Sequence, residues 1–165
     1  MFEKTGIASF EMVMSKFPSA ERINKGKVAV AECYKCIPCN PCEDACGFNA
    51  IKVGKDINQM PVVDPDACIG CGRCVSRCPG LAIILVDGSI SEESVDIYMP
   101  YEFLPLPEKG ETVKALDRAG KHVCDGTVIA VDNKASNDRT PVIRVRVPRA
   151  ELYNVRNIAL KGEEA

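Results

Sequence analysis

Short apolar runs separated by polar loops fill the first half of the chain. Residues 28–31 (VAVA), 50–53 (AIKV), 61–63 (PVV) and 82–86 (AIILV) are each long enough for a strand and too short for a helix. Between them, residues 42–46 and 73–77 read as single helical turns. Ahead of them, "SFEMVMSKF" sets Phe10, Val13, Met14 and Phe17 at helical spacing until Pro18 breaks the pattern. So short an arm cannot bury these side chains alone; it must cover the body of the chain or insert into a partner. In the second half, residues 127–131 are rich in β-formers. "TPVIRVRVP" (140–148) alternates Ile/Val with Arg, the period of a half-buried strand, and "NVRNIAL" offers one more. Ala119-Gly120 and Asp125-Gly126 read as turn pairs. "SISEESVDIYMPYEFLPLPEKGE" reads, from its acids and prolines, as a linker extended over a surface.

Composition changes this picture at one point. The 165 residues suffice for one compact domain or two small ones, but they include no Trp and only 5% aromatics. With 10 Cys, cysteine chemistry is expected to supply part of what apolar burial does not. No apolar run approaches the length of a membrane span, and the start carries acids where a signal peptide carries bases. The expected compartment is therefore cytoplasmic, where thiols stay reduced and dense Cys points to metal. The net charge is −2, with the acids concentrated in residues 31–100. No basic stripe marks a nucleic-acid surface.

The cysteines carry an internal repeat. Cys68, Cys71, Cys74 and Cys78 are spaced x2, x2, x3, and Cys36, Cys39, Cys42 and Cys46 repeat that spacing 32 residues earlier. Ile37 and Ile69, Ala50 and Ala82, and Ile51 and Ile83 fall at the same offset. Cys33 corresponds to Pro65, which cannot bind metal, so by spacing alone Cys33 is the spare thiol. A zinc site would pair one C-x2-C with a distant second one and needs only four ligands. Two complete runs favour iron–sulfur clusters, and the C-x3-C-x2-C spacing of radical enzymes is absent.

This segment closely resembles the bacterial two-cluster ferredoxins. The resemblance implies an α+β fold: a small dicluster ferredoxin-like domain over 28–90, with an additional C-terminal antiparallel β module. It also implies crossed ligation, since in that family the fourth Cys of each run serves the other cluster. One [4Fe–4S] cluster would then take Cys36, Cys39, Cys42 and Cys78, and the other Cys68, Cys71, Cys74 and Cys46. Pro79 after the last Cys fits the family; Gly47 in the first repeat departs from it. Ile37, Ile51, Ile69 and Ile83 would pack around the clusters.

"KGKVAVAECYKCIPCNPCEDAC", "CIGCGRCVSRCPGLAI" and "PYEFLPLPEKGE" together resemble the small iron–sulfur subunit of heteromeric flavoprotein dehydrogenases of the amino-acid, proline and hydroxyproline type. That resemblance makes Cys33 a rival of Cys36 for one ligand place. It implies a hetero-oligomer in which FAD or FMN sits in a partner subunit and not in this chain. Residues 1–27 would then be a docking arm, 91–110 an extended linker, and 111–165 a small β-rich module for subunit docking. The expected role is electron transfer with no catalytic site of its own. The alternative is a free, soluble ferredoxin-type carrier. Beyond residue 90 no catalytic constellation stands out. His122 reads as a surface or packing residue and Cys124 as a small apolar one. Arg144, Arg146 and Arg149 form either a solvated strand face or a basic docking face.

Overall fold

A computed structural model describes residues 2–159 and 162. Most of the chain hangs on one antiparallel sheet. In chain order its strands are β1 (Val28–Ala31), β4 (Ile83–Asp87), β5 (Ser94–Pro100), β6 (Thr112–Leu116), β7 (His122–Asp132), β8 (Val142–Pro148) and β9 (Asn157–Ile158), arranged as β1-β4-β5-β8-β7-β6-β9. A separate pair, β2 (Ile51–Lys52) with β3 (Val62–Val63), lies beside the short helices α4 (Pro41–Ala45) and α5 (Arg73–Arg77).

β1 and β4 are apolar on both sides because both sides are covered. Val28, Val30, Ile84 and Val86 face one core, shared with Val95, Ile97 and Met99 of β5 and Ile143, Val145 and Val147 of β8. Ala29, Ala31, Ile83 and Leu85 face a second core, where the apolar partners include Cys42, Cys74, Ile51 and Val75. The two small alanines of β1 leave space on the cysteine side.

The segment read as a linker contains β5. Its register runs from Ser94 opposite Pro148 to Pro100 opposite Val142, so it is the strand that joins the ferredoxin-like strands to the C-terminal ones. Val95, Ile97 and Met99 alternate inward, and all are fully buried. The acid in their midst obscured that alternation. Asp96 is also fully buried, and its carboxylate accepts hydrogen bonds from Arg144 Nε (2.7 Å) and Arg146 Nε (2.8 Å), 48 and 50 residues away. The C-terminal strands are therefore not a separate layer but the continuation of one sheet.

Of the two turn pairs expected here, one stands and one changes. Ala119-Gly120 is a turn, with Gly120 at φ +78. Asp125-Gly126 lies inside β7 instead. A Cβ on Gly126 would stand 2.7 Å from Val145 Cγ1, so this glycine serves close strand packing and not a turn.

The N-terminal arm forms three short helices, α1 (Phe2–Thr5), α2 (Phe10–Met14) and α3 (Ala20–Asn24). Ser9 and Ser19 cap the second and third by accepting from Met12 N and Arg22 N. Val13 and Ile23 are buried, and Phe17 packs edge-on against Tyr153, so the arm covers its own chain; Phe10 stays exposed. Arg22 donates to the carbonyls of Pro65 (2.6 Å) and Cys68 (2.7 Å), tying the arm to the second cysteine loop.

Ile97 sits at the middle of β5 with no exposed surface. Ile97→Ala is expected to destabilise the whole chain by about 3 kcal/mol, the cost of a buried large-to-small change. Anaerobic denaturant unfolding checks this. Loss of only the C-terminal strands, with the first half still cooperative, would contradict a single shared sheet.

Candidate metal centre

The repeat builds two similar corners. In each, a short helix carries one cysteine on its buried side: Cys42 on α4 and Cys74 on α5. Cys46 and Cys78 stand at the helix C-termini. The chain then turns through a left-handed residue, Asn49 (φ 55) or Leu81 (φ 50), and the next amide points back at the sulfur. Ala50 N donates to Cys46 Sγ and Ala82 N to Cys78 Sγ, both at 3.3 Å. Ala29 N of β1 donates to Cys68 Sγ at 3.4 Å. Gly70, at φ +68, packs so closely on Lys27 that a Cβ there would stand 2.6 Å from the Lys27 carbonyl oxygen.

Two cavities open between these corners. One is ringed by Cys68, Cys71, Cys74 and Cys46, with Ile69 and Leu85 in its wall. The other is ringed by Cys39, Cys42, Cys78 and Cys33, with Ile37 and Ile83 in its wall. Cys46 and Cys78 thus each stand with the three thiols of the opposite repeat. Among the described residues, no three Cys, His, Asp or Glu side chains are grouped as a site for one metal ion. The thiols ring the cavities instead.

Cys36, favoured by spacing, is exposed and does not line the cavity; Cys33 does. The backbone explains the difference. After β3 the chain makes a hydrogen-bonded turn, with Cys68 N donating to Asp64 O at 3.1 Å, and this returns Cys68 to its cavity. At the matching place in the first repeat, no bond joins Cys36 N to Glu32 O among the described residues. Both ladders run one residue past their strands, with Glu32 N donating to Ala82 O at 2.8 Å and Asp64 N to Ala50 O at 2.7 Å. The turn after Asp64 is therefore what separates the two loops, and without it Cys33 stands at the cavity three residues early.

Electrostatics fit a soft cation-binding site. Burial, helped by the neighbouring thiols Cys68, Cys71 and Cys46, pushes the Cys74 thiol up to about 12. Burial and Cys78 push Cys42 up to about 11. Burial raises Cys39 as well, with Cys78 and Cys33 adding to it. Burial acts in the same direction on Cys46, but amides of Phe48, Ala50 and Ile51 and the Arg73 guanidinium outweigh it and lower that thiol. Uncompensated thiolates would be costly here; thiolates bound to iron would not. The linings contain no carboxylate and no histidine, only sulfur and mostly apolar side chains, with Lys35 and Gln59 in the second cavity. That is the donor set iron–sulfur clusters use.

The remaining candidates lie elsewhere. His122 begins β7 and pairs with Asp125 at the surface (3.2 Å). Cys124 is half-buried and packs on the sheet's first core, and burial raises its thiol. Arg144 and Arg146 are committed to Asp96. Arg149 does not share their face: it donates to Asn24 Oδ1 (2.7 Å) and to the carbonyls of Gly88 (2.5 Å) and Glu92 (2.8 Å), clamping the β4–β5 hairpin.

One cluster of charges near the Cys33 cavity escaped the sequence reading. Glu32 is buried, and both its oxygens are held by Arg118 (2.7 and 2.5 Å), with Arg156 Nε at 3.8 Å. Separations of 86 residues and more leave no local signal for such a group.

Comparison with known proteins agrees with the geometry. Residues 35–82 match one model of a 4Fe-4S dicluster domain, and residues 60–137 match another. The middle of this chain carries a 4Fe-4S dicluster domain. The second match runs past the cysteines through β5 and β6 into the loop after β7. The chain is 42% identical to one subunit of the Na(+)-translocating ferredoxin:NAD(+) oxidoreductase complex of Acetobacterium woodii, across 32% of the chain and 15% of that protein. It is 43% identical to the ferredoxin-type protein NapF of Haemophilus influenzae, across 31% of the chain and 30% of that protein. It is 44% identical to the polyferredoxin-like subunit of an aliphatic sulfonate oxidoreductase from Pyrococcus furiosus, across 29% of the chain and 27% of that protein. The chain therefore spans less than a third of the length of these relatives. No solved structure matches.

If the sulfurs that ring the cavities are the ones that bind iron, Cys36→Ala should keep both clusters, and Cys33→Ala should lose one. Iron and acid-labile sulfide, measured anaerobically on each variant, decide between them. The reverse pattern would restore the ligand set expected from spacing.

Proposed function

We infer that this chain is an electron-transfer iron–sulfur subunit of a larger oxidoreductase, relaying single electrons between a flavin in a partner dehydrogenase subunit and an acceptor. The observation that carries this is the exchange of Cys46 and Cys78 between the two repeats, which sets two four-thiol cavities side by side across the α4–α5 contact. Cys33, Cys39, Cys42 and Cys78 would hold one [4Fe–4S] cluster, and Cys46, Cys68, Cys71 and Cys74 the other. Bound there, such clusters take up and release one electron at a time.

The chain's own residues do the rest. The thiolates fix the iron. The amides of Ala29, Ala50 and Ala82 point at ligand sulfurs, where they favour added negative charge. Ile83, Ile51 and Leu85 keep water from the buried side. The opposite side of each cavity is open: Ile37 is 46% exposed at the first rim, and Ile69 is 56% exposed at the second. Two apolar rims, one per cavity, suit an electron entry and an electron exit, each covered by a partner surface. The arm and the C-terminal strands, additions to a bare dicluster domain, suit a permanent place in a complex. Two of the similar proteins are themselves named as complex subunits or oxidoreductase subunits. Among the described residues no helix is long and apolar enough to cross a membrane.

The test is anaerobic affinity purification of the tagged chain from its native host, with flavin and iron assayed on what co-elutes. The expected result is a stoichiometric flavin-containing partner retained in high salt, together with iron matching two clusters. A brown monomer free of flavin would instead identify a mobile ferredoxin-type carrier.

A further inference from the structure

The two repeats supply nearly the same hydrogen bond to two sulfurs, but the C-terminal strands reach only one of them. The peptide unit Leu81–Ala82 donates through Ala82 N to Cys78 Sγ (3.3 Å). The carbonyl of that same peptide unit, Leu81 O, accepts from Arg156 Nη2 at 2.5 Å. A cation on the oxygen of a peptide polarises its N–H and strengthens the bond that the N–H makes. At the matching peptide of the first repeat, Asn49–Ala50, the amide serves Cys46, and among the described residues no arginine donates to the Asn49 carbonyl.

The charge of Arg156 is also poorly screened. Its side chain is 19% exposed, and the Arg118 side chain is 12% exposed. Glu32 offsets one of these two guanidinium groups, and its bidentate bonds go to Arg118, so the trio keeps one net positive charge near Cys78. Arg73, the cation near Cys46, is exposed to solvent and belongs to the cysteine repeat itself.

Reduction adds negative charge to a cluster and its thiolates, so a stronger N–H···S bond and a nearby buried cation both favour the reduced state. We propose that Arg156 is a positioning residue that raises the reduction potential of the cluster held by Cys78 and leaves that of the cluster held by Cys46 unchanged. It acts through the Leu81–Ala82 peptide and lines neither thiol cavity. This rests on the iron–sulfur reading above and goes beyond it. It assigns to the segment just before β9 control over one redox centre of the two.

The test is a redox titration of the iron-loaded full chain, followed by electron paramagnetic resonance, on wild type, Arg156→Met and Arg156→Lys. Arg156→Met should move one midpoint to a lower potential while iron and sulfide stay at wild-type content, and Arg156→Lys should recover most of the shift. In a Cys71→Ala background, which removes the other cluster, the shift should persist. Unchanged midpoints at full iron content, or equal movement of both, would overturn the proposal. If Arg156→Met loses iron, Arg156→Gln decides: it keeps a neutral donor for the Leu81 carbonyl, and the proposal stands only if one midpoint falls. A wild-type chain that takes up no four-iron cluster overturns the iron–sulfur reading itself, and iron content alone distinguishes that result from the others.

Discussion

The structure depends on β1 and β4 having both faces covered. A strand pair this apolar cannot leave one side in water: Val28, Val30, Ile84 and Val86 point one way, and Ala29, Ala31, Ile83 and Leu85 point the other. The cysteine corners cover the second side only in part, because each is a short helix, a loop and a cavity. The first side is covered by the arm through Ile23 and by the C-terminal strands. β5 completes the arrangement by occupying the free edge of β4 and passing the sheet on to β8. The additions to the dicluster domain are thus what its own strands require.

Extending the sheet from a cysteine-rich corner into a large apolar core brings two sets of buried charge with it. Asp96 with Arg144 and Arg146 sits within β5 and β8; Glu32 with Arg118 and Arg156 joins the end of β1 to the segments flanking β6 and β9. Such groups cost desolvation, and well-packed apolar residues could often replace them without loss of stability. Their contribution here is register. Asp96 is satisfied only when β8 presents both arginines opposite it, and a slip by one residue would leave a buried carboxylate unpaired.

The repeat and its spacing made the centre of the fold legible. Strands at 28–31 and 82–86 and helical turns at 42–46 and 73–77 coincide closely with the observed elements, because a period of 32 residues constrains both copies at once. The alternating run 140–148 likewise contains β8. What was not legible depended on distant partners. Val95, Ile97 and Met99 alternate as a strand should, yet Asp96 and the flanking acids and prolines outweighed that pattern until two arginines from β8 neutralised the acid. Gly126 resembled half of a turn because a close strand contact and a turn ask for the same residue. Cys36 outranked Cys33 because spacing records chain length between thiols and not whether the intervening backbone makes a hydrogen-bonded turn.

That last distinction bears on how the two corners divided their labour. In the second repeat, Asp64 to Cys68 coil, and the loop is secured by Arg22 from the arm and by Ala29 N on the sulfur. In the first repeat Glu32 N reaches Ala82 O just as Asp64 N reaches Ala50 O, but no matching turn follows among the described residues, and the Glu32 carboxylate gathers Arg118 and approaches Arg156. The missing turn leaves Cys33 at the cavity, one residue after the Glu32 that holds the charge cluster. The two successive peptide units flanking Ala82 are both held from this side, at Leu81 O by Arg156 and at Ala82 O by Glu32 N. A duplicated sequence with symmetric thiols thereby acquires two unlike surroundings. One is built from the arm and local amides, and the other from the C-terminal strands.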